Sequence, residues 1–258
     1  MGSATVQGAL WGQKAADWAE VQEPQHLNLY VGALESCLPL AGKRLMDAGC
    51  GSGMALALAA ERGARVTGMD ASEALLGEAR KRVPDAELHV GDVEACPFPD
   101  GSFDVVTAFN SIQYADDPVA ALRELRRVVR AGGRVVIGQW SDPAQCETEP
   151  LFDKLGALTP RPAGTPAPLA LSGAGQLELR LVEASLSPVG WGEAVCYFEY
   201  RDLDTAWRGM GAAGPVSRLI GIVGEEVVRK TVTDFFRTAE QADGRVVQRN
   251  VFRWVIAE

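Results

Sequence analysis

Three glycines at alternate positions, Gly49, Gly51 and Gly53, interrupt the apolar stretch LMDAGCGSGMAL (45–56). A bare Cα lets a ligand lie against backbone N–H groups, and a glycine turn leading from a strand into a helix presents those groups at its tip. Asp70, about twenty residues beyond the first glycine, stands where a carboxylate can take both hydroxyls of an adenosine ribose. Asp92 follows the next strand pattern and falls on the same edge. Each residue also has an ordinary structural reading: positive φ for the glycines, a helix cap for Asp70, a turn for Asp92. Three separate strand ends nevertheless agree on one crevice. A dinucleotide fingerprint, G-x-G-x-x-G, would put its third glycine where Met54 stands, which weakens that reading.

The elements that must position these residues alternate along the chain. Strand patterns occupy 43–48, 64–70, 86–92, 103–109 and 134–140. Between them, 53–63 reads as a buried helix, Ser72 caps a helix with Leu75, Leu76, Ala79 and Val83 on one face, and Asp117-Pro118 starts a helix striped by Leu122, Leu125, Val128 and Val129. Strands joined by helices in this way make a parallel, doubly wound α/β sheet. The chain has 258 residues, 47% hydrophobic and 23% charged, enough for one large core. Its formal charge of −9 would repel a phosphate backbone, so nucleic acid is not the expected partner. No run reaches the roughly 20 apolar residues of a membrane span, and MGSATVQG lacks the regions of a secretion signal. A soluble, cytoplasmic protein with no membrane partner is expected. Cys37, Cys50, Cys96, Cys146 and Cys196 are scattered without a C-x-x-C pair, which supports neither a disulfide framework nor a metal site.

Taken as an ordered set, LMDAGCGSG, VTGMDAS, GDVEACPFPDGSFDVVTAFNSIQYADDP and LRELRRVVRAGGRVVIGQW resemble the class I S-adenosylmethionine-dependent methyltransferases, in the small-molecule branch related to the ubiquinone-pathway enzymes. The resemblance spans about 40–140 and implies a Rossmann-like sheet of seven strands with an antiparallel edge. It implies S-adenosylmethionine as cofactor and S-adenosylhomocysteine as product. Asp47, Gly49, Gly51 and Gly53 would hold the cofactor's methionine portion and ribose. Asp70 would take the ribose hydroxyls and Ala71 touch adenine. Asp92 and Val93 would hold the adenine edge, and Phe109 and Asn110 would lie beside the methionine amine and reacting methyl. Gln113 and Tyr114 would face the substrate.

The flanks should enclose the acceptor. Residues 1–40 carry Trp11, Ala15, Trp18 and Ala19 at helical spacing and then Leu27, Tyr30 and Leu34, a pattern of lid helices over a core at 41–145. A Pro/Gly-rich loop follows at 160–176, a helix at 177–186, and strand patterns at 188–200 and 244–258. Residues 201–243 insert between those last two strands and should form helices over the substrate. Tyr30, Trp207, Met210, Phe235 and Phe236 are its candidate wall, within a single domain spanning 1–258. His26 and Tyr114 are candidates for catalytic contact, whereas His89 lies inside a strand pattern. The expected reaction is methyl transfer to a small-molecule acceptor, oxygen first with nitrogen and carbon as alternatives, in secondary metabolism. The competing expectation is a cofactor-binding cyclase or a non-methylating protein on the same fold.

Overall fold

The computed structural model describes residues 3–159 and 169–258. The Pro/Gly-rich loop read at 160–176 therefore lies outside the described residues as far as 168. Strands β1 (Arg44–Ala48), β2 (Arg65–Asp70), β3 (Glu87–Val90), β4 (Phe103–Phe109), β5 (Val129–Trp140), β6 (Pro188–Tyr200) and β7 (Val246–Ala257) form one sheet in the order β3-β2-β1-β4-β5-β7-β6. The first five pair in parallel. β7 inserts between β5 and β6 and runs antiparallel to both, leaving β6 at the edge. This is the mostly parallel seven-stranded sheet that the resemblance implied. Val129, read as part of a helical stripe, instead begins β5, because the chain turns extended as soon as the helix Pro118–Val128 ends.

Strand periodicity divides the core in two. Leu45, Val105, Val136 and Phe252 face one layer, and their neighbours Met46, Val106, Val135 and Val255 face the other. Helices Leu27–Glu35, Met54–Glu61 and Glu73–Arg82 cover the first layer; Pro118–Val128 and Gln176–Glu183 cover the second. Asp117 starts the helix Pro118–Val128 by accepting from the N–H groups of Val119 and Ala120, at 2.9 and 3.0 Å. Strand order reverses between β1 and β4, which opens a crevice beyond the carboxyl ends of the parallel strands. No helix among the described residues is long and apolar enough to cross a membrane.

Two added segments cover that crevice. The N-terminal one comprises the helix Ala4–Gly12, a short turn Ala15–Asp17, a π-helical stretch Trp18–Gln22, a 3-10 turn Glu23–His26 and the helix Leu27–Glu35. The other, between β6 and β7, comprises the helices Leu203–Gly211, Gly214–Val223 and Glu225–Arg237. They meet each other: a Cβ at Gly214 would stand 2.5 Å from the indole of Trp11. Arg208 also bridges to Asp17 at 2.7 Å and Glu20 at 2.8 Å. The N-terminal segment is fastened to the sheet by a polar knot. Arg82 pairs with the buried carboxylate of Glu23, donates to the carbonyls of Ser52 (2.8 Å) and Ala19 (2.9 Å), and Ser52 donates its hydroxyl to Glu23. Farther along, Gly32 lets the helix Leu27–Glu35 lie directly on the ring of Trp254.

Arg82→Ala should lower stability by about 3–5 kcal/mol in urea unfolding, because Glu23 is left as a buried, unpaired charge. Burial raises the Glu23 carboxyl above its usual range, so the loss should shrink as the pH falls and protonation removes that charge. Glycine-to-alanine changes should split by site. Gly77 has open space around it, and its replacement should add about 0.5–1 kcal/mol. At Gly32 a Cβ would stand 2.6 Å from the Trp254 ring, so the same change should lower the melting temperature despite the gain in helix propensity.

Candidate active site

The glycine turn leaves β1 with Gly49, Gly51 and Gly53 at φ +77°, +56° and +82°. The N–H groups of Gly49 and Cys50 donate to the Met69 carbonyl at 2.7 and 3.0 Å, which ties the turn to β2. Asp70 completes the tie: its two carboxylate oxygens accept from the N–H groups of Gly51 (2.9 Å) and Ser72 (2.8 Å). A Cβ on Gly49 would collide with Ser111 at 2.4 Å, and one on Gly53 would press on Ala79 at 3.0 Å. At Gly51 the nearest atoms would be Glu23 Oε1 at 3.4 Å and Trp18 Nε1 at 3.5 Å. Two of the glycines thus let the protein pack against itself, and Gly51 leaves room beside two side chains of the N-terminal segment.

That room belongs to a cavity of about 830 Å³. Its floor is made at strand ends: Asp47, Gly49 and Gly51 at the end of β1, Asp70 and Ala71 at the end of β2, Asp92 and Val93 beyond β3, Phe109 and Asn110 at the end of β4. Tyr30, Trp11, Trp18 and Glu23 of the N-terminal segment close it from above. Asp47 is buried and accepts a 2.7 Å hydrogen bond from the Thr107 hydroxyl. Burial pushes its carboxyl up to about 7; the charges of Glu23 and Asp70 push the same way, while Thr107 opposes them. Burial also raises Asp70. Asp92 accepts from the Glu94 N–H at 3.0 Å. The cavity is therefore strongly acidic around Gly51, with Arg82 held on Glu23 behind it.

A second cavity of about 1270 Å³ adjoins the first and shares Gln7, Trp11, Trp18, Asn110 and Tyr114 with it. His26, Trp140 and Phe198 line it, and Met210, Val216, Leu219 and Ile222 of the insertion form a wall. His26 is 3% exposed, packed on Phe252 and Phe198 at ring distances of 5.0 and 5.4 Å, and its Nδ1 has no well-formed hydrogen bond to a described residue. Burial lowers its pKa to about 4, so the imidazole is neutral at neutral pH. Asn110 takes φ +48°, unusual for a side-chain-bearing residue, and its buried Oδ1 is also unpartnered among the described residues. Tyr114 meets Trp11 edge to face at 5.5 Å on the shared wall.

Other residues singled out from the sequence lie elsewhere. Gly53 caps the helix Met54–Glu61 behind the turn and does not line the cavity. Gln113 is buried in the 3-10 turn Ile112–Tyr114, outside both cavities. Trp207, Phe235 and Phe236 are buried where the insertion packs on the rest of the molecule: Trp207 lies under Lys14 at 4.9 Å and Phe236 against Tyr200 at 5.5 Å. Neither cavity is lined by them, because their bulk fills the insertion's own contact with the sheet and the N-terminal segment. Tyr30 lines the first cavity and not the second. Sequence reading passed over Glu23 and Ser111. Glu23 is defined by Arg82, 59 positions away, and no local pattern could have signalled the pair.

Residues 46–137 match the methyltransferase domain family. Demethylmenaquinone methyltransferase of Beutenbergia cavernae is 37% identical over 111 residues, 43% of this chain and 46% of the relative. Malonyl-[acyl-carrier protein] O-methyltransferase of Erwinia pyrifoliae is 33% identical over 154 residues, 60% of this chain and 59% of the relative. The chain thus spans about half the length of the curated relatives it matches. Among solved structures, geranyl diphosphate C-methyltransferase of Streptomyces coelicolor, in complex with S-adenosylhomocysteine, superposes with a TM-score of 0.52 at 18% identity, covering 89% of this chain and 77% of that one. Residues 46–137 are thus similar to the methyltransferase domain family, and the chain shares the Rossmann-like fold of the solved methyltransferase on which it superposes.

Proposed function

We propose that this protein transfers a methyl group from S-adenosylmethionine to a small, largely apolar acceptor, with oxygen as the receiving atom. The observation that carries the reading is the shared wall: Trp11, Trp18, Asn110 and Tyr114 line both cavities, so ligands bound in the two meet at one boundary. When bound, the cofactor supplies an electrophilic methyl on a sulfonium, which calls for alignment with the nucleophile more than for activation of it.

The residues of the first cavity fit such a ligand. Glu23, Asp47 and Asp70 set negative charge around Gly51, which favours a cationic donor and disfavours the diphosphate of a nicotinamide dinucleotide. Each oxygen of Asp70 already accepts one backbone N–H and keeps lone pairs for ribose hydroxyls. Asp92 stands one strand end further, where an adenine amine would be taken. On the acceptor side, Asn110 Oδ1 can accept from a hydroxyl and so turn an oxygen lone pair toward the methyl. His26, neutral and buried, orients the acceptor and does not store its proton.

Incubation with methyl-deuterated S-adenosylmethionine and a cell extract should yield a labelled small molecule together with S-adenosylhomocysteine, read by mass spectrometry. Label confined to protein or polynucleotide, or no S-adenosylhomocysteine with any fraction, would reject the reading. Asp47 must be ionised to hold the cofactor's ammonium, and burial pushes its carboxyl up to about 7. Cofactor affinity should therefore fall about 25-fold between pH 7.5 and 5.5 by calorimetry. Asp47→Asn should bind more weakly and show a flatter profile. A wild-type affinity that does not change over this range would remove Asp47 from the ammonium site.

A further inference from the structure

We propose that the acceptor is an amphipathic anion, with an apolar body filling the second cavity, a neutral hydrogen-bonding group at its buried end and an acidic group held by Arg218. The proposal rests on reading that cavity as the acceptor chamber. Among the described residues Arg218 is the one charged side chain that lines it; the remaining lining is apolar or neutral and polar. An exposed arginine is ordinary by itself, and its surroundings decide the matter. Five cations lie on the insertion's helices, and four have acidic partners: Arg208 with Asp17 and Glu20, Arg229 with Asp204, Lys230 and Arg237 with Asp234. Arg218 makes no hydrogen bond or ion pair with any described residue. Residues 160–168, PRPAGTPAP, contain no Asp or Glu that could neutralise it.

The opposite character appears at the buried end. His26 and Asn110 line the same cavity, and His26 Nδ1 and Asn110 Oδ1 are shielded from solvent without a well-formed hydrogen bond to a described residue, the nearby Gln22 and Glu23 backbone acting on the imidazole only weakly. Leaving such atoms unpaired is costly unless a ligand pairs them. A cavity with two unmatched neutral polar atoms in its depth, aromatic and aliphatic walls, and one unpaired guanidinium reaching solvent is complementary to a molecule polar at both ends and acidic at one. The planar guanidinium, with its fork of donors, matches a carboxylate, sulfonate or phosphate.

The test uses two fluorescent compounds with one aromatic skeleton, 8-anilinonaphthalene-1-sulfonate and the uncharged N-phenyl-1-naphthylamine, titrated into the full chain saturated with S-adenosylhomocysteine. Arg218→Gln should weaken the sulfonate about tenfold and leave the amine within about twofold. Arg218→Lys should restore part of the loss, and added salt should weaken the sulfonate in the wild type but not in Arg218→Gln. Ala213→Trp, which narrows the cavity, should diminish both signals. Equal losses for the two compounds in Arg218→Gln, no loss for either, or sulfonate binding that survives Ala213→Trp would overturn the proposal. Calorimetry with S-adenosylmethionine on the same variants separates the two readings. Charge-selective binding in a protein that never forms S-adenosylhomocysteine would sink methyl transfer and leave the anion site standing.

Discussion

The buried pairing of Glu23 with Arg82 is the constraint on which the arrangement of both cavities depends. Glu23 sits in a 3-10 turn with no strand of its own to anchor it, and a carboxylate cannot stay ionised away from water without a partner. Arg82 is that partner, and the same guanidinium grips carbonyls on the glycine turn and on the π-helical stretch. Satisfying one charge therefore fixes the height and register of the whole N-terminal segment over the strand ends. Trp18, His26 and Tyr30 follow from it, since each lies within two turns of Glu23 along the chain. The irregular π and 3-10 backbone is the local cost of turning Trp18, Glu23 and His26 inward together.

Asp47 and Asp70 compound the electrostatic strain near that pair. With Glu23 they bring three carboxylates to one glycine turn, where burial disfavours their ionised forms. Only part of this is relieved within the protein: Thr107 supports Asp47, backbone N–H groups support Asp70, and Arg82 supports Glu23. Folding alone gains nothing from concentrating like charge in this way. An arrangement of this kind is favourable once a cation enters, and the positive φ of Asn110 beside it is a second departure from the backbone's preferred states in the same place.

The sheet and the cavity floor were legible because both are written locally. Each parallel strand announces itself by its apolar pattern, and its carboxyl end must fall at the crevice, which is why Gly51, Asp70 and Asp92 could be named from position, whereas Asp47 and Asn110 were named from the family resemblance. Gly53 shows the limit of that logic: its positive φ and close contact with Ala79 serve a helix junction, a use that looks the same in sequence as ligand binding. The acceptor chamber was less legible. Trp207, Phe235 and Phe236 have the size expected of a wall, yet hydrophobic spacing does not distinguish a side chain facing a core from one facing a cavity. Of the candidate wall residues Met210 alone lines the chamber, beside Val216 and Leu219 of the helix Gly214–Val223, which Trp11 packs against at Gly214. Glu23 and Arg82 were out of reach because their relation exists only after the chain has folded.

The place of β7 bears on the order in which the molecule can assemble during synthesis. β7 is the last strand in the chain, yet it lies inside the sheet, and β6 touches no other strand. The parallel strands through Trp140 can pair among themselves as they emerge. β6 and the helices that follow it have no place on the sheet until residues 246–257 arrive to bridge them to β5. The floor of the first cavity can thus form early on the ribosome, while the wall bearing Arg218 waits for residues 246–257. Premature termination between β5 and β7 would leave a nascent sheet with the floor of the first cavity and no wall for the second.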